Sequence, residues 1–334
     1  MKQSRNLLYL RQMAKNDIKA AVLLINMGGP ENPEEIPQFM RRLFNDPHIM
    51  NVPSLLRPLV ARIITRVRLS RVRDHYQQIG GASPLKGWTK LQGEAVLNIL
   101  LPEYPHLRIV EAYSYSDPTI EEAIMRLESE DLDLIVALPL YPQYSAATLG
   151  SIYAEVDKAR KKIGHDNRLK IIKPFFKHTQ YIAASVDLLA KAMKGIKTEI
   201  PYHVIFSAHA LPQSFIDRGD PYKDQIEKTV SLILEKYPIA NSSITYQSKI
   251  GPVKWMEPST IETAVSLAKR GVKQLVIMPV GFVCDHIETL YELDIELASI
   301  ARSAGIEKFI RVEVFNTNSL FIGMLADLIR TELQ

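Results

Sequence analysis

Four short runs, AAVLLINM (20–27), LDLIVALPL (132–140), HVIFSA (203–208) and KQLVIMPV (273–280), are apolar at successive positions rather than at alternate ones. A strand with that pattern buries both faces, as strands of a parallel sheet do. RIVEAYSY (108–115), KIIKPFF (170–176) and SITYQSK (243–249) carry the same tendency more weakly. Between them, 33–44, 86–101, 119–129, 151–163, 178–193, 221–236 and 258–270 read as helices. Strand followed by helix, repeated along the chain, predicts the α/β class with parallel sheets covered on both faces.

A faint internal repeat divides this pattern in two. The segments following Pro139 and Pro279 line up, placing Thr148 on Glu288. Two doubly wound lobes are therefore expected, 1–170 and 171–317, with the boundary near 165–178. A last helix (318–334) is expected to pack back on the first lobe. Such lobes create a cleft at the carboxyl ends of their strands, where open α/β sheets bind ligands.

One segment stands apart. Residues 52–73 mix Leu55, Leu56, Leu59, Val60, Ile63 and Ile64 with Arg57, Arg62, Arg66, Arg68, Arg71 and Arg73. A helix there has two readings: one resting on a lipid surface or lining an apolar cleft with a cationic rim, or one facing the core with a solvated arginine face. The first twenty residues hold no signal-peptide core, and no run approaches the ~18 apolar residues of a spanning helix, so a cytoplasmic protein is expected. Net charge is only +4, which decides little about partners. A single cysteine, Cys284, excludes a disulfide framework.

Charge is locally uneven. VCDHIETLYELDIE (283–296) holds five carboxylates and a histidine with no Lys or Arg. On a regular helix Glu288, Glu292 and Glu296 share one face, opposite Leu290, Leu293 and Leu297. A capping box of Asp285 and Glu288 followed by a solvated face would also give this pattern. Against that, a solvated face normally mixes charge signs, and the segment follows a buried strand directly. Asp285, His286 and Glu288 would then lie where α/β ligands sit. Carboxylate with imidazole suits a divalent cation such as ferrous iron, to which Cys284 adds little. His209 follows the strand HVIFSA in the same manner, before Leu211 and Pro212 stop extension. A histidine on such a loop is a candidate base or ligand.

These residues sit in a series of motifs: LLINMGGPENPEEIPQFMRRLFNDPHIM (23–50), YQQIGGASPLKGWT (76–89), YPQYSAATLGS (141–151), FSAHALPQSFIDRGDPY (206–222), YQSKIGPVKW (246–255) and DHIETLYELDIE (285–296). The series resembles the ferrochelatases of heme synthesis, in order and over nearly the whole chain. The resemblance implies insertion of ferrous iron into protoporphyrin IX with release of two protons. It implies His209 as proton acceptor or iron ligand, and Glu288 as its counterpart across the cleft. Glu292 and Glu296 would continue an acidic path supported by His286, on a helix widened to π geometry. Arg68, Tyr76 and Ser83 correspond to propionate-binding positions, and Met27, Tyr115, Thr148 and Trp255 to the porphyrin-lining wall.

The same resemblance implies iron as substrate and no permanently bound cofactor. The chain lacks the cysteines that an iron–sulfur cluster requires. No nucleic-acid partner is implied, while contact with the inner membrane surface is an added expectation. Two departures bear on the site. Ser114 stands where many relatives have arginine, and Met27 stands where the branch using coproporphyrin has tyrosine, favouring protoporphyrin IX. The rival readings are a coproporphyrin III ferrochelatase, a cobalt or nickel chelatase of the same fold, and a carrier of tetrapyrrole or metal.

Overall fold

β1 (Ala20–Asn26), β2 (Arg108–Tyr113), β3 (Leu134–Pro139) and β4 (Leu169–Ile171) form an all-parallel sheet in the order β2-β1-β3-β4. The computed structural model describes residues 17–50, 52–163, 168–249 and 251–334; most of the N-terminal stretch read for a signal peptide, and residues 164–167 of the boundary region, lie outside these. β5 (Tyr202–His209), β6 (Ser242–Gln247), β7 (Gln274–Pro279) and β8 (Lys308–Arg311) repeat the first sheet strand for strand, in the order β6-β5-β7-β8.

The double-sided apolar runs have a direct cause. Successive side chains of a strand point to opposite faces, so Val22 and Leu24 enter one core while Leu23 and Ile25 enter another. The first of these cores is shared by both lobes. Leu24 and Val136 of one sheet, Phe206 and Val276 of the other, and Val96, Leu189 and Phe321 of three helices belong to it. The outer faces are sealed separately, by helices Ile120–Glu128 and Ser151–Ile163 on the first sheet and by Thr260–Lys269 on the second. The final helix, Ser319–Glu332, lies against helix Leu85–Leu100, with Arg330 paired to Glu103 at 2.8 Å.

Three expectations need correction. The helix expected over 52–73 runs instead from Arg57 to Gln78. Pro58 fixes its first turn, and Gly80 and Gly81, both left-handed, end it, with the Gly81 N–H donating to the Tyr76 carbonyl. It has two faces: Ala61 and Tyr76 are buried and Ile64, Leu69 and Val72 pack with them against helix Ile36–Phe44, whereas Leu59, Ile63 and Val67, like Leu55 and Leu56 in the turn before it, are exposed, Leu55 at 93%. Strand β4 stops at Ile171 rather than 176, and β8 was not expected, since KFIR is short and bracketed by charge.

The third concerns the acidic segment, where only the capping-box alternative fails: Glu288–Leu297 is a π-helix, as the family resemblance implies, and its N-terminus carries no side-chain cap. A second, shorter π-helix, Ala146–Gly150, follows β3 at the place the internal repeat assigns to it. Among the described residues, no helix is long and apolar enough to cross a membrane.

Candidate active site

In a parallel sheet ordered 2-1-3-4 the strand order reverses between strands 1 and 3, and the crevice beyond their carboxyl ends is the ligand position. Both sheets direct that crevice at one cavity. Asn26 and Met27 leave β1 and Leu140 and Tyr141 leave β3 on one side. His209 and Ala210 end β5, and Val280 and Gly281 leave β7, on the other. The cavity has a volume of about 390 Å³ and takes its walls from both lobes, within the range of small-molecule sites.

The Met27-Gly28-Gly29 turn brings other elements close. Gly28 is left-handed, and a Cβ there would meet the Ser116 Oγ at 2.6 Å; one on Gly29 would meet the Ser83 Oγ at 2.5 Å. Ser83, whose N–H donates to the Pro30 carbonyl, and Tyr115, beyond β2, are thereby set on the cavity wall. The Tyr115 hydroxyl donates to Asp46 Oδ2 at 2.6 Å, which also accepts from Ser151 Oγ at 2.5 Å. That buried carboxylate holds the ring in place from behind.

On the opposite wall His209 Nδ1 lies 2.7 Å from Glu288 Oε2. Left-handed Ser248 places its hydroxyl 3.2 Å from Glu288 Oε2 and in a closer contact with Glu292 Oε2, and Gln247 Nε2 donates to Glu292 at 3.3 Å. One hydroxyl proton can serve only one carboxylate at a time, so Ser248 is a bridge between the two. Burial alone would lower the His209 pKa, but Glu288 and, more weakly, Glu292 raise it above 6.5. Burial likewise opposes ionisation of Glu288, yet His209 holds that carboxyl below its ordinary range. His209 acts on Glu292 too, but more weakly. Burial and the Glu288 charge push it up to about 7. Two carboxylates separated by one hydroxyl thus have opposite protonation tendencies, the pattern of a site that moves protons near neutral pH.

The remaining expected positions divide clearly. Met27, Arg68, Tyr76, Ser83, Tyr115, Thr148, Trp255 and His286 all line the cavity, together with His209, Glu288 and Glu292. Glu296 does not; it lies 3.8 Å from Arg71 at the side of helix Arg57–Gln78. Arg68 stands over the Phe44 ring at 5.9 Å, its pKa lowered by burial and by Arg71. Buried His286 is held by its own turn, Nδ1 3.2 Å from the Cys284 carbonyl, and burial lowers its pKa. The indole N–H of Trp255 has no hydrogen-bond partner among the described residues.

The charge that looked uncompensated along the chain is partly compensated in space. Arg311 reaches Asp294 at 2.7 Å and Asp285 at 3.2 Å. Among the described residues no group of three or more His, Cys, Asp and Glu side chains converges closely enough to hold a metal ion. Asp46, Ser151, Gln247 and Ser248 escaped sequence reasoning, because neutral or isolated polar residues carry no periodic signal.

The family model described as Ferrochelatase matches residues 19–333. A ferrochelatase of Citrifermentans bemidjiense is 39% identical over 94% of this chain and 98% of its own length. One of Aquifex aeolicus is 39% identical over 95% and 100%, and one of Geotalea uraniireducens 41% over 93% and 97%. Among solved structures, SirB from Bacillus subtilis with Fe3+ superposes with a TM-score of 0.57 at 12% identity, over 94% of this chain and 95% of that one. CbiX, described as the terminal enzyme of siroheme biosynthesis in denitrifying bacteria, gives 0.52 at 12% identity over 95% and 100%. At that identity the two structures speak for the fold only, a chelatase-like pair of lobes. The sequence relatives extend from β1 through the final helix and take in both walls of the cavity, and on that ground the chain belongs to the ferrochelatase family.

Proposed function

We propose that the protein inserts ferrous iron into protoporphyrin IX, releasing two protons, as a step of heme synthesis. The observation that carries this reading is the His209–Glu288 pair, 2.7 Å apart, on one wall of a cavity closed by the other lobe. Insertion requires that two pyrrole protons leave and that the metal arrive loosely held. An imidazole backed by a carboxylate accepts protons near neutral pH. His209 and Glu288 offer a cation two donors rather than a full shell, so the pyrrole nitrogens can complete its coordination. From Glu288 a proton has Ser248 and then Glu292 beside it, and burial with the Glu288 charge raises the Glu292 pKa, so that Glu292 takes up a proton more readily than Glu288.

The macrocycle's apolar face suits Met27, Tyr115, Thr148 and Trp255, and its propionates suit Arg68 and the hydroxyls of Tyr76 and Ser83 in the cavity lining. Met27 supports protoporphyrin over coproporphyrin, because an unbranched thioether accepts vinyl-bearing apolar edges without offering a hydrogen bond to a carboxylate. The test is an anaerobic insertion assay with ferrous iron. Protoporphyrin IX should give a kcat/KM at least tenfold above coproporphyrin III, and the reverse order would transfer the assignment to the coproporphyrin branch. Preferential insertion of cobalt or nickel would replace the iron reading, and binding without turnover would leave a carrier.

Membrane contact is part of the same reading. Leu55, Leu56, Leu59, Ile63 and Val67 are exposed beside Arg57, Arg62 and Arg66, a surface that suits an anionic bilayer. The protein should co-sediment with phosphatidylglycerol-containing vesicles and lose most of that binding in Leu59→Ser/Ile63→Ser. Equal recovery of both proteins with the vesicles would remove lipid from the list of partners.

A further inference from the structure

π-helices are rare and usually occur as single-turn bulges inside α-helices. The one at Glu288–Leu297 spans ten residues, and its N-terminus has no capping side chain. Its inner surface, Leu293 and Leu297, packs on the β5–β7 face, while Glu288 and Glu292 face the cavity. Packing of that kind would suit an α-helix equally well. Something else must hold the wider winding.

The side away from the cavity supplies it. Arg311, the last residue of β8, donates from Nε to Asp294 Oδ1 at 2.7 Å and approaches Asp285 Oδ1 with its terminal nitrogen at 3.2 Å. The guanidinium thus grips the π-helix in its later part and the strap just before it, with Glu288 and Thr289 between the two grips. Asp285 is fixed from other directions as well. Thr289 Oγ1 donates to its Oδ1 at 2.9 Å, and Asn316 Nδ2 to its Oδ2 at 2.9 Å, while the Asp285 N–H donates to Asn316 Oδ1 at 2.9 Å. Asn316 is itself left-handed, and its carbonyl, like that of Val283, accepts from Gln92 of the other lobe. The strap is therefore anchored to both lobes, and the π-helix is tied to the strap through one planar, two-armed cation.

We infer that Arg311 is the positioning residue that sets the π winding, and so aims Glu288 and Glu292 at the metal's path. It touches neither the cavity nor the substrates; it acts through Asp285 and Asp294. This rests on the function proposed above only for its kinetic readout. Its structural readout stands alone.

The test uses the full chain with Arg311→Met, which preserves the apolar stem, and Arg311→Lys, which can serve one carboxylate but not both. A crystal structure of Arg311→Met should show residues 288–297 rewound toward α geometry. Its KM for ferrous iron should rise at least tenfold and its kcat fall, while its KM for porphyrin stays within threefold of the parent. Arg311→Lys should recover part of the loss. If Arg311→Met does not fold, Asp294→Asn removes only the grip on the π-helix and should give the same rewinding and the same split between the two KM values. An unaltered π-helix in whichever of these two variants folds would overturn the inference, whatever its activity. If the helix rewinds while no variant, nor the parent, inserts metal, the positioning role survives and the chelatase reading fails.

Discussion

Replacing His209 with alanine will leave porphyrin binding within a few-fold of the parent protein and reduce iron insertion by about a hundred- to ten-thousand-fold, the usual contribution of a positioned acid or base. The separation of the two effects follows from the geometry. His209 ends β5 with its side chain part-exposed in the cavity, and its hydrogen bond goes to Glu288 rather than into the core. On the proposed mechanism, truncation therefore removes a proton acceptor and a metal donor without opening a packing defect. Met27, Tyr115, Thr148 and Trp255, which line the cavity and are proposed to contact the macrocycle, belong to other elements and keep their own supports, such as the Asp46 bond behind Tyr115. The checks are fluorescence quenching of bound protoporphyrin and a stopped assay of heme formed. Turnover unchanged in this variant would take His209 out of the mechanism, and loss of binding would make it a wall residue.

Much of this was legible in the sequence because burial on two faces leaves a continuous apolar trace. Strands β1, β3, β5 and β7 carry that trace, and the lobes they build follow from strand–helix alternation. Edge strands carry less. β8, only Lys308–Arg311, pairs on one side and has charged ends, so it left no pattern. The first turn of helix Arg57–Gln78 was misplaced because Leu55 and Leu56 look helical, whereas they lie in an exposed turn before Pro58. The winding of the acidic segment came from the family resemblance and not from the spacing, for a different reason: spacing of four residues stacks carboxylates on one face in either an α- or a π-helix. What distinguishes them is a partner such as Arg311, brought by the fold from another strand. Ser248 was invisible by the same logic, since its role depends on a left-handed turn that sets it between two acids.

Glu288→Gln is the second substitution with a large expected effect, and it carries a pH signature. The change keeps the shape but removes the charge that raises the His209 pKa and so strengthens the imidazole as a proton acceptor. Insertion should fall by at least a hundredfold at every pH. Glu292→Gln should lose less, chiefly by raising the iron concentration required, because it stands one step further from His209. Stability gives an independent check of the pair. His209 has a folded pKa above 6.5, so its share of the stabilisation is present below 6.5 and is lost as pH rises through the folded value. Glu288 has a folded pKa below 4.5, so its share is present above 4.5 and is lost as pH falls through the lowered value. The two conditions overlap between 4.5 and 6.5. Glu288→Gln should therefore depress Tm most in that window, and the gap should narrow in more acidic buffer and in buffer well above neutrality. A Tm difference independent of pH would mean that the residues meet as neutral hydrogen-bond partners. The imidazole would then lack the carboxylate support on which its role as proton acceptor depends.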